Sequence, residues 1–178
     1  MTSKIWGIAT GLVTAIAMAG AALAQDRVEA HKDWSVFEAG EGGSKVCWIV
    51  SQPTKSDAKR DNKSVTVNRG DIFLMVAVRK ADGVKNEVSF LSGYPFKKAS
   101  QVKVAVSSRG GKKSFTMFTD GENAWTSSPQ DDNSMTSAFR AGSRAEIVGV
   151  SARGTTTYDT FSLSGFTKAI KAAQGRCN

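Results

Sequence analysis

The sequence predicts a mainly-β fold, an antiparallel β-sandwich with two short helices at 129–141 and 165–174. Three observations lead there. β-Branched and aromatic residues recur in short runs bounded by Gly, Asp, Asn and Ser, the pattern of strands separated by turns. Only two stretches change to the apolar spacing of a helix. The 178 residues contain no internal repeat and no interdomain linker, and their length suits one domain after a leader.

The elements follow in order. WSVFE (34–38) and KVCWIVS (45–51) read as strands, and PTKSDAKRDNKS (53–64) as a charged loop after them. IFLMVAVR (72–79) is apolar at consecutive positions and reads as a central strand covered on both faces. Further strands are expected at 86–92, 101–107, 114–119 and 122–126, joined by the turn sequences DGVKNE and TDGEN. Ser128, Pro129 and Asp131 form a capping box with proline at the first helical position. Met135, Ala138 and Phe139 then share a face, and Gly142 ends the helix. Ser164 caps the second helix, where Phe166, Ala169, Ile170 and Ala173 recur at helical spacing, and Gly175 closes it.

Between the helices lies GVSARGTTTYDTFSLSGF (149–166), rich in groups that could serve an active site. RAEIVGVSA, RGT and TTYDTFSL read instead as strand, turn and returning strand, with Phe161 and Leu163 on one face and Tyr158, Thr160 and Ser162 on the other. A nucleophile there would need a base. The single histidine, His31, is remote in sequence and no G-x-S-x-G elbow occurs. Ser151 and Thr156 are accordingly expected at the surface, where truncation changes stability by under roughly 1 kcal/mol.

Other motifs are weaker. Ser100-Gln-Val-Lys103 has the S-x-x-K spacing of penicillin-recognising enzymes, but it lies in an alternating strand pattern and lacks the companion motifs. Arg69-Gly70-Asp71 is the tripeptide of integrin ligands, yet it runs directly into IFLMVAV and reads as a turn. The nearest carboxylate pairs are Asp131/Asp132, Asp120/Glu122 and Glu38/Glu41, and nothing places any pair across a cleft as a glycosidase requires. No catalytic residue, metal site or cofactor is expected.

MTSKIWGIATGLVTAIAMAGAALAQ has the charged, apolar and A-x-A parts of a secretory signal. Cleavage is expected after Ala24, leaving one domain at 25–178 with no further transmembrane segment. Position 25 is Gln, so lipid attachment is not expected. In an oxidising compartment Cys47 and Cys177 pair by default, because no C-x-x-C spacing occurs. Loss of Lys4 with the leader lowers the net charge from +8 to +7. The cations gather as Lys55, Lys59, Arg60 and Lys63, as Lys97 and Lys98, and as Lys112 and Lys113. They are candidates for binding an anionic envelope polymer, a glycolipid or a host surface component. Nucleic acid is excluded as a partner by export and by the lack of any recognition motif.

DWSVF (33–37), CWIVSQPTKS (47–56), RGDIFLMVAV (69–78), KNEVSFLSGYPFKK (85–98), FTDGENAWTSSPQDD (118–132), GVSARGTTTYDTFSLSGFTKAI (149–170) and the final RC (176–177) occur in that order. In this set the chain resembles the invasion-associated locus B family of exported bacterial proteins. The resemblance implies a Gram-negative envelope protein, periplasmic, outer-membrane-associated or secreted, linked in pathogens to host-cell entry. It supplies no catalytic residues. Two functions follow as expectations: a non-enzymatic envelope protein acting by binding, or a hydrolase or transferase acting on envelope glycan.

Overall fold

A computed structural model describes residues 26–177; the expected leader at 1–24 and its cleavage point lie outside them. Twelve strands form: β1 (Asp26–His31), β2 (Trp34–Ala39), β3 (Val46–Ser51), β4 (Lys55–Arg60), β5 (Lys63–Ser64), β6 (Phe73–Arg79), β7 (Val84–Leu91), β8 (Gln101–Ser108), β9 (Gly111–Asp120), β10 (Asn123–Trp125), β11 (Arg144–Val150) and β12 (Thr156–Ser162). The helices are α1 (Pro129–Ala141) and α2 (Phe166–Cys177). The fold is therefore mainly β with two short helices, as the residue pattern predicts.

All twelve strands join one antiparallel sheet in the order β1-β2-β3-β6-β7-β10-β9-β8-β11-β12-β4-β5. The facing layers are parts of this one sheet, which curls until Phe90 of β7 meets Phe161 of β12 in a T-shaped contact, centroids 6.1 Å apart. Strand alternation supplies the core: Val102, Val104 and Val106 of β8, Ala145 and Ile147 of β11, and Leu74, Val76 and Val78 of β6 are buried. The neighbours of the β6 residues on the opposite face are half-buried rather than covered by another layer. β1 pairs with β2 across a register slip between Arg27 and Glu29.

The helices fill the concave side. Ser128 accepts a hydrogen bond from the Asp131 amide, with Pro129 in the first helical turn, while the Asp131 carboxylate takes the Ser128 hydroxyl rather than its amide, so only half of the capping box forms. Met135 and Phe139 of α1 point inward, where Phe166 of α2 meets both Phe139 (5.4 Å) and Trp34 of β2 (4.9 Å). The Trp34 indole N–H donates to the Ser162 carbonyl at 3.0 Å, satisfying its one polar group. Gly142 does follow α1, but for closeness of approach: its φ is −87°, and a Cβ there would stand 2.6 Å from Val106.

Four further details differ from the sequence reading. Residues 53–64 are not a loop, since Lys55–Arg60 pairs with β12 and turns back through β5. Only Ala58 of β4 is buried, so the strand carries almost no apolar alternation. α2 continues through Gly175 to Cys177, and its first hydrogen bonds run from Lys168 and Ala169 to the Gly165 carbonyl rather than starting from a Ser164 cap. The last turn is held by the Cys47–Cys177 disulfide, with Cα atoms 5.9 Å apart, and by Arg176, which pairs with Glu29 and Glu38. These attachments outweigh the roughly 1 kcal/mol penalty of a helical glycine.

The last difference is Ser151, which is buried rather than at the surface. Its hydroxyl accepts the Thr155 amide at 3.1 Å, closing the β11–β12 turn. Ser151→Ala is therefore expected to cost about 1–3 kcal/mol, the range for a buried donor left unpaired. Phe161→Ala should cost about 3–5 kcal/mol by opening a core cavity. Chemical denaturation of both variants beside Thr156→Ala, which should stay near wild type, checks this ranking.

Candidate functional site

The loop between β5 and β6 carries Arg69 into the molecule. Gly70 lies against Gly93, its amide donating to the Gly93 carbonyl at 2.9 Å. Gly93 has φ +70°, and a Cβ on it would come within 2.5 Å of the Gly70 oxygen, so this approach requires glycine. Arg69 thereby reaches Asp159 of β12, whose side chain is fully buried. Two parallel bonds of 2.7 and 2.8 Å join guanidinium and carboxylate, and Ser56 donates to the same carboxylate at 2.7 Å. The Arg69 Nε–H and a second Nη2 hydrogen reach the Ser92 carbonyl at 3.0 and 2.6 Å. The adhesive tripeptide is thus not presented: its arginine is consumed by an internal ion pair.

A cleft of about 450 Å³ opens above this pair, between residues 66–69, 93–95 and 151–157. Its lining includes Arg60, Arg69 and Arg153 and no carboxylate. Arg60 is oriented by two bonds to the Thr155 hydroxyl at 2.7 and 3.1 Å. Tyr94 lies under Arg69, its ring centroid 4.9 Å from the guanidinium, and its hydroxyl meets that of Thr157 at 2.7 Å. Burial holds the Tyr94 phenol above its ordinary range, so it stays neutral at physiological pH. Arg69 is already neutralised by Asp159, so an incoming phosphate or carboxylate would be met by Arg60, held by Thr155, and by Arg153 at the cleft edge.

The eight cations singled out in sequence divide among three places. Residues directly opposite in register share a face. The pairs Lys112↔Ser107↔Arg144, Lys103↔Val148↔Tyr158↔Asp57, Glu146↔Thr160↔Lys55 and Thr156↔Lys59 therefore define the outer face of β9-β8-β11-β12-β4. Lys55, Lys59 and Lys112 stand on it. Arg60 and Lys63, opposite each other, and Lys113, opposite the buried Val106, fall on the alternate face. Lys97 and Lys98 sit in the β7–β8 connection, where the Lys97 amide bonds to the Val150 carbonyl beside the arginine cleft. The structure brings Arg60 and Lys97 near one rim, and it does not unite all eight.

Sequence reasoning missed Lys103 and Arg144, which complete the outer face, and Arg69 and Arg153, which line the cleft. Strand alternation in QVKVAV and RAEIV carried the signal for the first two, because Val102, Val104, Val106, Ala145 and Ile147 between them point inward. Against five outward cations stand three carboxylates: Asp57, which pairs with Lys55, Glu146, 3.9 Å from Lys112, and Asp120 at the far end of β9. Lys59 lies 5.6 Å from the Tyr158 ring centroid. Three of the six carboxylates weighed as catalytic pairs have structural partners. Asp132 accepts the Val88 amide and the Thr126 hydroxyl, Asp131 belongs to the helix cap, and Glu38 meets Lys45 and Arg176.

These features define a class: disulfide-closed β domains in which one curled sheet is plugged by two helices. The crystal structure of invasion associated protein B from Bartonella henselae is similar in fold, with a TM-score of 0.54 at 19% identity, covering 83% of this chain and 96% of that one. The family model described as "Invasion associated locus B (IalB) protein" matches residues 34–174, and the chain belongs to that family. Among curated proteins none matches it.

Proposed function

We propose that this chain is an exported, non-enzymatic envelope protein that acts by binding anionic groups of an envelope polymer, a glycolipid or a host surface component. The observation that carries the reading is the outer face bearing Lys55, Lys59, Lys103, Lys112 and Arg144 against three carboxylates, bordered by the arginine cleft. Lipid or polymer phosphates would meet the sheet face broadly, while a single phosphate or carboxylate would be met at the cleft by Arg60 and Arg153. The leader-like start of the sequence and membership of the invasion-associated family support an envelope location. No helix among the described residues is long and apolar enough to cross a membrane, so attachment through charge supplies a route to a surface. The engagement of Asp131, Asp132 and Glu38 by structural partners favours binding over glycan hydrolysis.

Each cation near an anionic surface contributes about 1 kcal/mol at low salt. Vesicles of phosphatidylcholine with and without phosphatidylglycerol test the reading. The protein should sediment only with the anionic vesicles and release as salt shortens the screening length below about 8 Å. Lys59→Glu with Lys103→Glu should reduce partitioning at least roughly tenfold. Lys97→Glu with Lys98→Glu should weaken it at the cleft rim, and Lys113→Glu, on the alternate face, should leave it nearly unchanged. Salt-independent binding, or equal loss in all three variants, would overturn the assignment to this face.

A further inference from the structure

At the opposite end of β7 the sheet opens. β10 spans only Asn123–Trp125, pairing with β7 at Ser89–Leu91 and with β9 at Phe118–Asp120. Beyond Trp125 the chain leaves for α1, so β7 and β9 continue without a strand between them. The opening is a cleft of about 670 Å³. That lies within the roughly 300–1,000 Å³ of small-ligand pockets. Phe118 and Trp125 stand beside it, centroids 5.8 Å apart and inclined by 30°. Phe118 is 46% exposed and is the one exposed large hydrophobic side chain among the described residues.

The polar part of the cleft is set in place by the protein. Asn86 donates to the Asn133 carbonyl oxygen at 2.9 Å and accepts from Gln174 at 2.7 Å, which fixes the plane of its amide. One carboxylate oxygen of Asp132 takes the Val88 amide and the Thr126 hydroxyl. These bonds leave the second amide hydrogen of Asn86, the Asn133 amino group and the other Asp132 oxygen for a ligand. Glu87 is neutralised by two bonds from Arg79 at 2.8 and 2.9 Å, and Arg79 also reaches Asp82. With Lys85 the one cation in the lining against Asp82, Glu87 and Asp132, the cleft does not favour anions.

We propose that this cleft is a second binding site, for a neutral saccharide. A pyranose has an apolar C–H face and a rim of hydroxyls that both donate and accept. The face stacks on Phe118 and Trp125, while the rim meets Asn86, Asn133 and Asp132. An apolar ligand would desolvate those groups without return, at a cost that disfavours it. The site goes beyond the anionic binding proposed above and differs from it in place and in charge.

The test uses the full mature chain with cellotetraose and chitotetraose as probes, followed by amide NMR shifts and by Trp fluorescence. At least one probe should bind saturably at roughly millimolar concentration or tighter, with shifts around Phe118, Trp125 and Asn133. Phe118→Ala should weaken it by about tenfold or more. Phe118→Tyr, which keeps the ring, should bind nearly as well as wild type. The affinity should ignore salt and should survive Lys59→Glu with Lys103→Glu, so its failure and that of the electrostatic reading are distinguishable. No saturable change with either probe, shifts clustered elsewhere, equal affinity in Phe118→Ala, or displacement by an extended apolar peptide would each overturn the assignment.

Discussion

Arg69→Ala is expected to destabilise the protein by about 3–5 kcal/mol, the range for stripping one partner from a buried ion pair. Asp159 is fully buried, and Ser56 alone would remain to hydrogen-bond its carboxylate. The loss reflects a charge left unpaired in a poorly solvated place, more than the net worth of the pair. Asp159→Asn in the Arg69→Ala background should therefore recover part of it. Urea unfolding of the single and double variants separates the two effects. A loss under about 1 kcal/mol for Arg69→Ala would mean that water reaches the pair and that it behaves as a surface contact.

Opening the Cys47–Cys177 bond, by reduction or by Cys177→Ser, should cost roughly 2–5 kcal/mol. The bond spans 130 residues, so it restrains nearly the whole described chain when unfolded. In the folded protein it pins the last turn of α2 to β3. Hydrogen exchange should rise first in that turn, and loss of the midpoint shift on reduction would count against the pairing as a source of stability. Acid acts on the same attachment. Arg176 is the chief cause of the lowered pKa of Glu29, and Lys45 of that of Glu38, to which Arg176 adds. Stability from a carboxylate with a lowered folded pKa is present above its ordinary value and is lost as pH falls through the lowered one. The reduced protein should accordingly release α2 at a higher pH than the oxidised protein, read by exchange of the α2 amides over a pH series.

Strands with an inward apolar face were legible because alternation is a local signal, as in QVKVAV and RAEIVGV. α1 was legible from its cap, since Ser128, Pro129 and Asp131 act within one turn of each other. β4 was not, because its outer face is charged and its inner face offers Ser56, Ala58 and Arg60, so the pleat leaves no apolar trace. The tether at the end of α2 was hidden for a related reason: Gly175 signals a stop locally, and the contacts that override it come from β1, β2 and β3. The arginine cleft was least accessible. Arg69 and Asp159 lie 90 residues apart, and neither neighbourhood announces a partner. Register likewise decides which lysines share a face, and no run of residues encodes it. The eight cations looked equivalent as a list and are not equivalent on the sheet.

A sheet whose ends do not meet leaves two borders where backbone groups of another copy could pair. On one side β5 is two residues long, with Lys63 on it, too short to template a partner. On the other, β1 slips register between Arg27 and Glu29, and Glu29 is engaged by Arg176 and His31. Brevity, lysine, a bulge and a fixed charge are the means by which β proteins resist lateral growth into fibres. Among the described residues both borders of the sheet thus hinder edge-to-edge pairing between copies, and on the β1 side Arg176 holds Glu29 in place.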